Sequence, residues 1–157
     1  MQKPWNIPNL PVYSLATYNN ESLNMNICTY VSAVSMKPKR YMVAVYENTQ
    51  TLKNITGSKI VVLQLLHETQ FNLVKKLGLT SGMLYNKENY LQKKKLLTTW
   101  ENHKVLQNTA ALLLLKKLWI KNAGDHHLVL FDVLKSKAFS KDYLMLNELR
   151  NRKIIRG

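Results

Sequence analysis

The run Asn24-Met25-Asn26-Ile27-Cys28-Thr29-Tyr30-Val31-Ser32-Ala33-Val34-Ser35-Met36-Lys37-Pro38 is rich in Val, Thr, Ile and Tyr. Such side chains are restricted at χ1 or flat, and they pack well on a pleated surface. The run therefore reads as two extended segments, Leu23 to Tyr30 and Val31 to Met36, which Pro38 ends. Interleaved with the apolar positions are short hydroxyl and amide groups, Asn24, Asn26, Thr29, Ser32 and Ser35.

The segments on either side continue in the same style. Upstream, Pro11-Val12-Tyr13-Ser14-Leu15-Ala16-Thr17-Tyr18 alternates with both faces partly apolar, and Asn19-Asn20-Glu21-Ser22 supplies a hairpin turn, because Asn tolerates left-handed backbone angles. Downstream, Tyr41 to Tyr46 makes another strand. Asn48-Thr49-Gln50-Thr51 then starts a short helix capped by Thr49 or Thr51 and closed by Gly57. Lys59 to Leu66 is almost continuously apolar and predicts a central strand. Glu68 to Leu77 has helical spacing and stops at Gly78, a glycine C-cap.

The second half is less regular. Residues 79–108 are polar and lysine-rich, with Leu91, Leu96, Leu97 and Trp100 as anchors, and predict a helical or loop excursion. Thr109 to Ile120 fits helix or strand, whereas Leu128 to Leu134 is strand-like, and Gly124-Asp125 between them suggests a hairpin connection. Asp142 to Ile155 ends the chain as strand or helix. Six or seven strands against two or three helices, without regular strand–helix alternation, predict a mainly β, antiparallel barrel with peripheral helices. At 157 residues with 46% apolar composition, a single domain over residues 1–157 is expected.

The net charge of +14 calls for an anionic partner: nucleic acid, an anionic membrane surface or a phosphorylated cofactor. The excess is spread out, with eight basic and three acidic side chains in residues 1–78 and fifteen and six in residues 79–157. Lys93-Lys94-Lys95 reads as a solvated face together with Lys87, Glu88, Glu101 and Lys104. RNA-binding strand motifs and zinc spacings are absent, which places a nucleic-acid-binding module behind the other readings. One cysteine, Cys28, rules out an internal disulfide and suits a reducing, cytoplasmic setting. Met1 to Pro11 has no apolar run, and the greasy stretch Ala110 to Leu115 stops at Lys116 and Lys117, so neither a secretory signal nor a membrane span is expected.

No nucleophile or metal constellation stands out. His126 and His127 are adjacent on a strand and point to opposite faces, His67-Glu68 lacks a second histidine four residues on, and no metal site is expected. Cys28 has no cation beside it in sequence to lower its pKa, which favours structural or cofactor-contacting burial. Neither GxGxxG nor GxxxxGK spacing occurs. What remains is the set of hydroxyl and amide groups from Asn24 to Ser35, followed by Asn48, Thr49 and Thr51 at a helix start. Backbone N–H groups there, with short hydroxyls, can hold a phosphate, although the same residues also serve as ordinary turns and caps.

In order along the chain, Pro11 to Thr17, Asn24 to Pro38, Tyr41 to Ile55 with its Thr51, Val61 to Leu66 with Gln70, and Gly124-Asp125-His126 resemble the flavin reductase-like, FMN-binding split-barrel family over residues 8–135. Lys39 stands where a second proline often follows Pro38, and residues 79–108 have no clear counterpart. The resemblance implies a split β-barrel, FMN as cofactor, NADH or NADPH as hydride donor, and a homodimer whose second subunit completes the flavin site. It implies that Asn26, Ile27, Cys28, Thr29, Ser32, Val45, Tyr46, Asn48, Thr49 and Thr51 line the flavin, with Thr49 and Thr51 near its phosphate. Gln64 would reach the ribityl chain, and His126 would stand at the mouth on the nicotinamide side. A flavin reductase is the activity implied; an FMN-binding electron carrier without turnover is the alternative, with a haem or deazaflavin ligand behind it.

Overall fold

Ile60-Val61-Val62-Leu63-Gln64-Leu65 forms the strand on which the sheet is built, and its lack of polar alternation is explained by burial on both faces. Val61 and Leu63 point to one apolar cluster with Leu15, Val43, Val45, Ile55, Leu115, Val129 and Phe131. Val62 points to the other, with Val12, Ala16, Met25, Leu77, Leu91, Leu112 and Leu149. The same split by parity, Leu15 against Ala16, holds in the first strand, as the two-residue period of a strand requires.

The computed structural model describes residues 1–20 and 22–156. Its strands are β1 (Tyr13–Asn19), β2 (Ser22–Met25), β3 (Val31–Met36), β4 (Lys39–Tyr46), β5 (Ile60–Leu65), β6 (Leu97–Trp100), β7 (His103–Leu106), β8 (Ala111–Asn122) and β9 (His126–Ala138). Seven of them form one antiparallel sheet in the order β2-β1-β5-β8-β9-β4-β3, and β6 pairs only with β7. In register, Leu63 of β5 lies between Leu15 of β1 and Leu113 of β8.

The sheet curls into a split barrel, with β2 and β3 as its unpaired edges. Between those edges runs the connector Asn26–Tyr30. Cys28 exchanges both backbone bonds with Tyr13 of β1, at 2.9 and 2.8 Å, and Tyr30 O then accepts from Ala44 N of β4 at 2.9 Å. The expected strand from Leu23 to Tyr30 is therefore broken after Met25. Asn26 is the cause: its Oδ1 accepts from Leu15 N at 2.8 Å and takes the place of a ladder carbonyl.

The helices are α1 (Gln50–Gly57), α2 (Val74–Gly78), α3 (Lys87–Lys93) and α4 (Leu146–Asn151). The predicted helix from Glu68 to Leu77 is a 3₁₀ segment, Glu68–Leu73, running into α2, and the ambiguous Thr109–Ile120 stretch is the strand β8. Residues 79–108 contain α3 and the β6–β7 hairpin. The β1–β2 turn has Asn20 at φ 55°, and Glu21 of the predicted turn lies outside the described residues. In the β8–β9 turn Gly124 takes φ 117°, a conformation that needs no Cβ. Among the described residues no helix is long and apolar enough to cross a membrane.

Candidate functional site

Where the connector crosses from β1 to β4, its side chains face the N-terminal turn of α1, and a cavity of 570 Å³ opens between them. The connector contributes Asn26, Ile27, Cys28, Thr29 and Tyr30; the end of β4 and the turn after it contribute Ala44, Val45, Tyr46, Asn48, Thr49, Gln50 and Thr51. Asn48 turns the chain with φ 57°, a left-handed angle that Asn accepts more readily than most residues. Thr49 is the N-cap: its Oγ1 accepts from Leu52 N at 3.2 Å and donates to Tyr46 O at 2.8 Å. The N–H groups of Gln50 and Thr51, the first two residues of the helix, precede its own bonding register, and both residues line the cavity.

Beneath this turn lies a connected set of buried polar side chains. Asn24 Nδ2 donates to Thr51 Oγ1 at 3.2 Å, Asn54 Nδ2 donates to Thr17 Oγ1 at 3.1 Å, and Thr17 Oγ1 donates to Asn24 O at 3.4 Å. Gln50 Nε2 donates to Asn54 Oδ1 at 2.7 Å, so the network reaches from β1 and β2 to the cavity wall. Buried polar groups of this kind hold position because leaving any one unpaired costs about 1–3 kcal/mol.

The remaining wall comes from residues with no recognised signal in the sequence. Leu77, Gly78, Leu79, Thr80, Ser81 and Gly82 form a strap across the cavity, and Lys87 closes it from α3. Gly78 is the last residue of α2 rather than a left-handed cap, and a Cβ there would meet Ile27 Cβ at 3.0 Å. A Cβ on Gly82 would overlap Asn24 Oδ1 and lie 3.1 Å from Gln50 Cβ. Gly78 is thus the point at which the strap meets the connector, and Gly82 the point at which it meets β2 and the start of α1. Lys87, read from sequence as part of a solvated segment, is instead buried, with Nζ donating to Met25 O at 3.0 Å and Leu77 O at 2.6 Å. The signal that finds it is Leu91, an anchor four residues on and hence on the same helix face.

His126 reaches the cavity from the start of β9 and packs between two rings, with centroids 5.3 Å from Tyr30 and 5.2 Å from Tyr46. Its Nδ1 donates to Asp125 Oδ1 at 2.7 Å, which leaves Nε2 as the unbonded ring nitrogen. Of the residues that the resemblance assigns to the flavin site, the structure brings all but Ser32 and Gln64 onto this cavity, and Ser35 also lies away from it, on β3 with its hydroxyl donating to Pro38 O at 2.6 Å. Ser32 is exposed on the edge strand β3, where its Oγ donates to Ala33 O at 3.1 Å. Gln64 is fully buried in β5, where Oε1 accepts from Leu106 N at 2.7 Å and Nε2 donates to Met25 Sδ at 3.5 Å. It anchors the β6–β7 hairpin and does not face the cavity. Desolvation pushes the Cys28 thiol up to about 12, so it stays protonated near neutrality and is no nucleophile.

A protein-family model described as "Flavin reductase like domain" matches residues 9–152. No curated protein is significantly similar in sequence. Among solved structures the chain is similar to BorF, the flavin reductase component of a bacterial two-component tryptophan halogenase, with TM-score 0.79 and 12% identity over 90% of this chain and 88% of that one. It is similar to an FMN-binding protein from Thermus thermophilus solved with bound p-hydroxybenzaldehyde, with TM-score 0.78 and 16% identity over 90% of this chain and 78% of that one. The NADH:FAD oxidoreductase SgcE6 of Streptomyces globisporus, in complex with NAD and FAD fragments, gives TM-score 0.74 and 13% identity over 86% and 78% of the two chains.

Proposed function

The chain belongs to the flavin reductase-like domain family, and on that premise we propose that it binds FMN in the cavity between the connector and α1 and passes hydride to it from NADH or NADPH. The observation that carries this reading is that Asn26–Tyr30 and Val45–Thr51, two stretches distant in sequence, wall one cavity of 570 Å³ that ends on a helix N-terminus. A flat ring with a phosphorylated tail matches both parts. Connector backbone and the side chains of Asn26 and Thr29 meet ring or ribityl atoms. The Gln50 and Thr51 N–H groups with the Thr51 hydroxyl receive the phosphate, whereas the Thr49 hydroxyl is committed to its own backbone as the cap.

The donor set fits such a group. Thr51 Oγ1 accepts from Asn24, and its own O–H has no acceptor among the described residues. When bound, a flavin would supply the redox chemistry as hydride acceptor. The protein's part is alignment: the connector fixes one ring face, and His126 with Tyr30 and Tyr46 forms an aromatic rim at which a nicotinamide stacks. No protein nucleophile is required.

We propose the homodimer on similar grounds. The edge strand β3 exposes Val34 and Met36, and Tyr30 and Tyr46 are 57% and 53% exposed at the cavity mouth, a surface a second copy would cover while completing the site. Residues 1–157 act as one domain in this reading. Steady-state oxidation of NADH or NADPH with added FMN tests the activity: saturable turnover supports a reductase, and tight flavin binding without turnover supports the electron carrier instead.

A further inference from the structure

We infer that Lys87 is the counter-charge for the phosphate of the bound flavin, an assignment that rests on the flavin reading above. Lys87 is only 5% exposed, yet it takes part in none of the ion pairs found among the described residues. A buried cation without a partner is costly, and proteins normally pair such charges. Among the described residues, the other elements packed around it supply no carboxylate. β2 reads Ser-Leu-Asn-Met, the segment Leu79–Asn86 has no charged residue, α2 adds only Lys75 and Lys76, and α1 only Lys53. Among the described residues the neighbouring acid is Glu88, which accepts from Leu23 N and pairs with Lys104 at 2.7 Å.

The ammonium is also held in place. Two of its three N–H groups go to Met25 O and Leu77 O, which leaves one donor and a full charge for a ligand. Lys87 lines the flavin cavity and also a second cavity of 390 Å³, and the two share Asn24, Gln50, Gly82 and Lys87 as a common wall. The second cavity is further lined by Asn19, Asn54 and Asn86, so the ligand's polar end, not its ring, belongs at the junction. Gln50 of the α1 N-terminus stands on that same wall, which brings the helix amides and the ammonium to one anion. Burial lowers the Lys87 pKa to about 8 in the unliganded chain, consistent with a charge waiting for its partner.

The test compares FMN with riboflavin, which has the same ring and no phosphate. In wild type FMN binds more tightly. In Lys87→Met the FMN affinity falls by at least about tenfold, the worth of a charge-assisted hydrogen bond, while riboflavin affinity is unchanged. In wild type, raising the pH from about 7 to about 9.5 weakens FMN but not riboflavin, as Lys87 loses its proton. Equal effects on both ligands, or no effect on FMN, overturn the assignment and leave the flavin reading intact; wild type binding neither ligand overturns that reading and the assignment with it. If Lys87→Met does not fold, the pH comparison in wild type decides, and the absence of FMN-specific weakening there refutes the role of Lys87.

Discussion

Asn24 Nδ2 donates to Thr51 Oγ1 at 3.2 Å, and through this one bond β2 is tied to the first turn of α1. Both side chains are buried, Asn24 at 6% and Thr51 at 2% exposure. The next residue, Met25, offers its carbonyl to Lys87 of α3. Two consecutive residues of one short strand thus hold the helix start and the buried lysine in a fixed relation, and the proposed phosphate position lies between them.

Replacing Thr51 by Val keeps the shape and removes the acceptor. The Asn24 amide is then buried without a partner, and stability should fall by about 1–3 kcal/mol in urea unfolding. Thr51→Ser keeps the hydroxyl and should remain within about 1 kcal/mol of wild type. Equal stability of Thr51→Val and wild type would show that the bond does not matter.

Gly82→Ala places a methyl group on Asn24 Oδ1 and beside Gln50, so either the strap Leu77–Gly82 lifts off the cavity or the Asn24 side chain gives up its bond to Thr51. Flavin affinity should drop several-fold while the far-ultraviolet circular dichroism stays that of wild type. A variant with wild-type affinity would show that the strap is no part of the site.

Lys87 has a pKa of about 8 in the folded chain against its ordinary 10.5, because burial disfavours the charged form. At neutral pH both folded and unfolded chains carry the proton, and the penalty is fully present. Between about 8 and 10.5 the folded chain releases the proton and the unfolded chain keeps it, so the stability of wild type should rise with pH relative to Lys87→Met in that window. Parallel pH profiles for the two proteins would contradict this.

His126→Ala removes the ring held between Tyr30 and Tyr46. The KM for the nicotinamide donor should rise several-fold with FMN affinity unchanged; a loss of FMN affinity of the same size would move His126 from the donor side to the flavin itself.

Much of this was legible from the chain alone. The β-branched run around Val61–Leu63 predicts a doubly buried central strand, and Asn48–Thr51 predicts a capped helix start, since both rest on local propensities that tertiary structure reinforced. Gln64 is placed at the ribityl chain only by the family resemblance, whereas in the structure its amide satisfies Leu106 N of a hairpin 42 residues away. Ser32 lies beyond the point where the connector joins β4, on an edge strand facing out. Lys87 and the strap were hidden for the opposite reason: lysine is ordinarily a surface residue, and only the packing of α3 on β2 turns this one inward.

Hydrogen exchange of the chain with and without saturating FMN tests the central claim most directly. The account predicts slowed exchange in residues 26–30 and 45–51, where two separated segments wall one cavity, with the strap 77–82 following. Unchanged exchange in both of the first two segments at saturating FMN would contradict it.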